Sequence, residues 1–94
     1  MYHVYMLASG RHGTLYIGMT NSIRGRLEQH RAGHGSEFVA KYKVHRLVYL
    51  EGYDSAEDAI RREKQLKNWK RDWKISLIET DNPEWADLSD LIAE

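Results

Sequence analysis

Six side chains in this sequence are of types that do chemistry together: Tyr5, Tyr16, Arg26, His30, Glu63 and Lys67. In the stretch 23–31, Ile23 and Leu27 mark an apolar stripe. At about 100° per residue, Arg26 and His30 fall beside that stripe rather than opposite it. Further on, Ala56, Ala59 and Ile60 mark a second stripe, with Glu63 near its centre and Lys67 next to it. Charged groups that point into a protein are paired or bind something. The tyrosines offer proton transfer, but a phenol with its ordinary pKa of about 10 is a poor base. A nearby cation or metal must lower that value, and Arg26, Lys67 and a metal on Glu63 would do so. Structural readings stand beside the chemical one. Glu63 and Lys67 have the i,i+4 spacing of a surface ion pair, Arg26 and Glu63 could form a buried bridge, and His30 could simply pack. Tyr5 and Tyr16 are also good strand residues.

The elements that must position these groups follow from pattern. Residues 2–7 alternate and are rich in aromatic and branched side chains, which predicts a strand. Ser9 to Gly13 has turn composition, and residues 14–18 form the returning strand of a hairpin. Pairing centred between Gly10 and Arg11 sets Tyr5 opposite Tyr16 on one face. Asn21 or Ser22 caps a helix over 23–31 that Gly33 and Gly35 end. Residues 36–45 are a basic connection with room for one helical turn. Leu47 to Leu50 is apolar on both faces, as in a well-buried third strand. Ser55 with Asp58 resembles a capping box, opening a helix that runs to about Lys67–Trp69. A further helical segment continues through Trp73 to Ile78, Pro83 interrupts, and residues 85–92 form a last short helix. The order β-β-α-β-α-α predicts an α+β fold: a small three-stranded antiparallel sheet flanked by helices.

The chain has 94 residues, enough for one domain. It has no cysteine, so disulfides and thiolate chemistry are excluded. No apolar run is long enough to span a membrane, and the N-terminus lacks the marks of a signal peptide; the expectation is a cytoplasmic protein. Net charge is zero, but its distribution is uneven. All 14 Lys and Arg lie between Arg11 and Lys74, a stretch with eight acids, whereas residues 79–94 carry six acids and no base. A basic body is the footprint of a polyanion partner. The expected division is therefore a domain over residues 1–78 and an acidic, part-helical tail over 79–94. That tail either folds over the basic face or serves as a solubilising segment.

These residues resemble the GIY-YIG nucleases. Val4-Tyr5-Met6 stands where that family carries Gly-Ile-Tyr or a variant, and Tyr16-Ile17-Gly18 matches the second half fully. The run from Tyr16 to His30 follows the family's spacing. Arg26 stands on its catalytic arginine, and His30 on a position that is often histidine. The stretch Arg61 to Lys67 is similar to the second-helix signature, with Glu63 on its metal-binding glutamate. The similarity covers roughly residues 2–78. The short length, the loop Gly33-His34-Gly35-Ser36 and the Trp69–Trp73 segment look like the small stand-alone bacterial branch. The chain departs from the pattern in its first motif and at Met19, which is lysine in some catalytic relatives.

The resemblance implies a metal-dependent endonuclease that hydrolyses nucleic-acid phosphodiesters, most naturally in DNA, with little sequence specificity and a place in repair or recombination. It implies that Glu63 holds one Mg²⁺ or Mn²⁺ and that Tyr16 deprotonates the attacking water, with Tyr5 orienting it or sharing the task. Arg26 would neutralise the pentacovalent phosphate, and His30 would position Tyr16 or the water. Lys41, Lys43, Arg61, Arg62, Lys64 and Lys67 are the candidate phosphate contacts. The alternative is a nucleic-acid-binding module that uses the same basic face without cutting.

Overall fold

The computed structural model describes residues 1–33 and 37–92; Gly35 and the rest of the loop 34–36, like residues 93–94, lie outside them. Strand β1 (Tyr2–Ala8) is the middle of a three-stranded antiparallel sheet, flanked by β2 (Leu15–Thr20) and β3 (Arg46–Tyr53). Helices α1 (Ile23–Arg31) and α2 (Glu37–Tyr42) connect β2 to β3. Helices α3 (Ala56–Asn68) and α4 (Arg71–Asp81) follow β3, and a 3-10 turn spans Leu88–Leu91. The expected α+β architecture is the one that forms, with α2 a helix of its own inside the basic connection.

Both faces of the sheet are covered, and the middle strand is buried from Val4 to Ala8. Val4, Met6 and Ala8 pack with Ile17, Ala59, Leu66, Ile78 and Trp85 on the side of α3 and α4. Tyr5 and Leu7 pack with Ile23, Leu27, Val39, Val44 and Leu47 on the side of α1 and α2. The alternation fails in β3 at a bulge: Met6 faces Tyr49 and Leu7 faces Leu47, leaving Val48 as the extra residue. Val48 and Tyr49 consequently join the same cluster although they are neighbours in sequence.

The hairpin register differs from the expected one by two residues. Tyr5 pairs with Gly18 and Leu7 with Tyr16, so the hairpin centres one residue later, between Arg11 and His12. The longer loop has a local cause. Thr14 donates its backbone N–H to Ser9 Oγ, Gly13 donates to the Gly10 carbonyl, and His12 takes a left-handed backbone with φ 56°. A slip of two keeps every side chain on its face, so Tyr5 and Tyr16 remain on one surface as diagonal neighbours.

The starts of α1 and α3 are fixed differently. Ser55 Oγ accepts from the backbone N–H of Glu57 and Asp58 at the start of α3. Ser22 precedes α1 without a side-chain cap bond; its own N–H donates instead to Thr20 Oγ1, which ties the helix to the end of β2. The inner face of α3 runs through Ala59, Arg62, Glu63 and Leu66. Ile60, expected on the apolar stripe, lies at its shoulder and is 38% exposed.

The chain's last described stretch is built into the body. Trp85 is fully buried, its indole N–H donates to Glu79 Oε2, and its carbonyl accepts from Arg46. The Asn82 amide donates to the carbonyls of Val48 and Ala86 and accepts from the Ala86 N–H, closing the turn that delivers Trp85.

Candidate active site

The site gathers where β2 forms the sheet's edge, because there the two covered faces come within reach of each other. Tyr5 projects from β1 toward α1 and is inaccessible to solvent. Its hydroxyl lies 3.0 Å from Nε2 of His30, itself buried on the last turn of α1, and the two share a hydrogen bond. Tyr16 stands beside both, its ring 6.3 Å from that of Tyr5 and 5.3 Å, edge to face, from the imidazole. Tyr16 is only partly buried, so it is the phenol of the pair that a substrate can reach.

Gly18 makes this arrangement possible. A Cβ at position 18 would stand 2.5 Å from the Tyr5 hydroxyl oxygen and 2.6 Å from its ring carbon. The phenol of Tyr5 crosses the strand where β2 carries no side chain. The third letter of the Tyr-Ile-Gly motif thus serves packing.

Electrostatics ties the remaining residues to this centre. Burial is the main cause that pushes the Tyr5 hydroxyl well above the usual phenol value. The nearby Tyr16 and Glu63 push it the same way, and the Arg26 guanidinium opposes them. The His30 imidazole is held below its ordinary value, first by burial and then by the positive fields of Arg26 and His45. His30 is therefore neutral at physiological pH, and its Nδ1 has no partner among the described residues. Arg26 is half-buried on α1, one turn before His30. Glu63 enters from α3 with its side chain 20% exposed, 3.5 Å from the ammonium of Lys67. Tyr5, Tyr16, Arg26, His30 and Glu63 are thus brought together, with Lys67 at the rim.

The basic residues named from sequence divide. Arg62 faces inward and grips Glu51 with Nε and Nη2, while Nη1 donates to Gln65. Tyr49 and Tyr53 donate to the same carboxylate, and the guanidinium lies 5.1 Å over the Trp69 ring. This network fastens α3 to β3 and so holds the helix that carries Glu63. Arg61 pairs with Asp58 in solvent. Lys41 and Lys43, at the end of α2, and Lys64 are exposed, with Lys41 5.3 Å over the Tyr42 ring. Met19 packs against the core on the side of α3 and α4.

A groove of about 300 Å³ opens beside Tyr16, lined also by Leu15, Ile17, Phe38, Lys67 and Lys74. Phe38 and Lys74 fall outside the motif positions. Sequence marks Phe38 only as half of an i,i+4 aromatic pair with Tyr42 around Lys41, and does not mark Lys74 as a groove residue. Within the acidic stretch, Asp87 pairs with Arg31 and accepts from the Leu47 N–H, and Ser89 accepts from Arg31, away from this groove. Among the described residues no three His, Cys, Asp or Glu form a metal cage. No helix there is long and apolar enough to cross a membrane.

Comparison with known proteins agrees with this fold. A model of the GIY-YIG catalytic domain matches residues 1–76. A UPF0213 protein of Staphylococcus haemolyticus is 31% identical over 77 residues, which is 82% of this chain and 94% of that protein. A UPF0213 protein of Staphylococcus aureus is 30% identical over 76 residues, 81% of this chain and 93% of its own. Among solved structures, the solution NMR structure of a UPF0213 protein from Bacillus halodurans superposes with a TM-score of 0.58 at 26% identity and covers 100% of both chains.

Proposed function

The chain belongs to the family of GIY-YIG catalytic domains, and on that premise we propose that it is a metal-dependent endonuclease that hydrolyses DNA phosphodiesters with little sequence specificity, serving repair or recombination. The observation that carries this reading is the pairing of a reachable phenol, Tyr16, with a buried and neutral support, Tyr5 and His30, between the opposite charges of Arg26 and Glu63.

Glu63 offers a single carboxylate with no second acidic, histidine or cysteine cluster around it among the described residues. That donor set suits Mg²⁺ or Mn²⁺, which keep several waters and complete their shell with phosphate oxygens, and does not suit zinc. When bound, such a cation stabilises charge on the phosphate and the leaving 3′ oxygen. Tyr16 takes the proton of the attacking water. Tyr5 is buried with its proton held tightly, so it positions Tyr16 and does not itself act as the base. His30, neutral and hydrogen-bonded to Tyr5, fixes that phenol. Arg26 offsets the charge that grows on the pentacovalent phosphate. Lys67, Lys64, Lys41 and Lys43 contact backbone phosphates.

One observation favours a second reading, a binding module that does not cut: the residue at position 19 is a methionine, partly buried against the core. Supercoiled plasmid with Mg²⁺ or Mn²⁺ separates the two. Wild type is expected to nick. Glu63→Ala and Tyr16→Phe are expected to lose about 100-fold or more in rate, while both still bind DNA in EDTA. Binding without nicking by wild type would leave the binding module standing and the enzyme refuted.

A further inference from the structure

We propose that the groove at the β2 edge seats an unpaired nucleobase of single-stranded DNA, with Phe38 as its stacking platform and Lys67 and Lys74 on the flanking phosphates. The proposal deepens the nuclease reading by naming its substrate class, and rests on it for the identity of the polymer.

The first support is an aromatic row that runs outward from the catalytic cluster. Beyond His30 and Tyr16 comes Phe38, whose ring centroid is 6.1 Å from that of Tyr16 at an interplanar angle of 33°. Tyr42 follows 4.8 Å from Phe38. The row begins buried and ends in solvent: Phe38 is 40% and Tyr42 46% exposed. Helix α2 buries only Val39, so the two rings are not what holds it down. Large aromatic surface left in water beside a cationic rim marks a binding face.

The second support is the composition of the groove. It is lined by two aromatic residues, Tyr16 and Phe38, two aliphatic ones, Leu15 and Ile17, and two lysines, Lys67 and Lys74. A groove that gathers aromatic and aliphatic surface with two ammonium groups fits a base together with its flanking phosphates. Every base has a π-face, so such a seat tolerates any sequence. A base inside a continuous duplex cannot use it, because its faces are already stacked on its neighbours. Continuity with the catalytic cluster is the third support. Lys67 both lines the groove and contacts Glu63 at 3.5 Å, so a nucleotide seated there leaves its phosphate beside Tyr16 and Glu63.

The test is binding by the full chain in EDTA, where no cleavage is needed, so it can fail while the nuclease reading survives and the reverse. Fluorescence anisotropy would compare a labelled 12-nucleotide oligo-dT, the same length of oligo-U, and a 12-base-pair duplex. Wild type is expected to prefer oligo-dT to duplex. Phe38→Ala is expected to weaken oligo-dT binding about tenfold and duplex binding less than twofold, with Phe38→Trp restoring the single-strand preference. Lys74→Ala is expected to weaken oligo-dT binding and flatten its salt dependence. Equal loss on both DNA forms, or no loss, overturns the proposal. Tighter binding of oligo-U than oligo-dT overturns the assignment to DNA. Conversion of a dimer to a monomer by Phe38→Ala, seen by sedimentation, overturns it in favour of self-association.

Discussion

At the scale of single residues, Tyr5, His30 and Gly18 form one unit in which none can change alone. The glycine makes room for the phenol and the imidazole fixes it. His30 gives this unit a pH signature. Its folded-state pKa lies below the ordinary histidine value of about 6.5, so the unfolded chain binds that proton more tightly than the folded one. Its contribution to stability is therefore complete above about pH 6.5 and is lost as pH falls through the histidine range. Urea titrations at pH 7.5, 6.5 and 5.5 are expected to show falling stability for wild type and a flatter profile for His30→Gln. Parallel profiles would refute the assignment. His3 is shifted in the same direction and remains in both proteins, so the difference between them isolates His30.

At the scale of elements, α3 is positioned by polar groups as much as by its apolar residues. The Glu51–Arg62 pair is largely buried, with side chains 17% and 22% exposed, and Glu51 takes two tyrosine hydroxyls as well. Arginine and tyrosine together hold its carboxyl below the usual range despite burial. Removing one partner strands the other, so Glu51→Ala is expected to cost about 3 kcal/mol in chemical denaturation. Nicking activity should also fall at temperatures where the variant is still folded, since Glu63 rides on that helix. Sequence made much of this level legible. The bounds of α1 come from Ile23, Leu27 and the residues before them, and Ser55 announces α3; both signals are local. The hairpin register differs by two from the one the strand pattern predicts, because it depends on how Ser9, His12 and Gly13 fold the loop. Arg62 reads as a phosphate contact in sequence, and its partner lies eleven residues away on another element. The bulge at Val48 has no local mark either. The convergence of Arg26, His30 and Glu63 was legible as charge beside apolar stripes, whereas Phe38 and Lys74 matter only through where α2 and α4 lie against β2.

At the scale of the whole molecule, the sheet is closed on the side of α3 and α4 by Trp85, drawn from a stretch that reads as acidic tail. An indole fully buried against Val48, Leu66 and Ile78 contributes as a core residue does. Trp85→Ala is expected to cost about 3–5 kcal/mol, a large part of the 5–15 kcal/mol typical of a domain. Thermal unfolding measures it; a shift of only a degree or two would mean that the segment is dispensable.

That anchoring also settles where the molecule's charge sits. Asp87 is held against Arg31 and the backbone of β3, while Lys67 and Lys74 stand across the sheet beside β2. Asp87 and Asp90 share their surroundings with Arg31, Lys43 and Arg46, so the acids of this stretch are offset where they lie and do not reach the groove that Lys67 and Lys74 line. A polyanion arriving at the β2 edge meets the ammonium groups of Lys67 and Lys74 without that acidic stretch between them. Neutrality of the whole then costs little in encounter rate at low ionic strength, and added salt weakens that local pull.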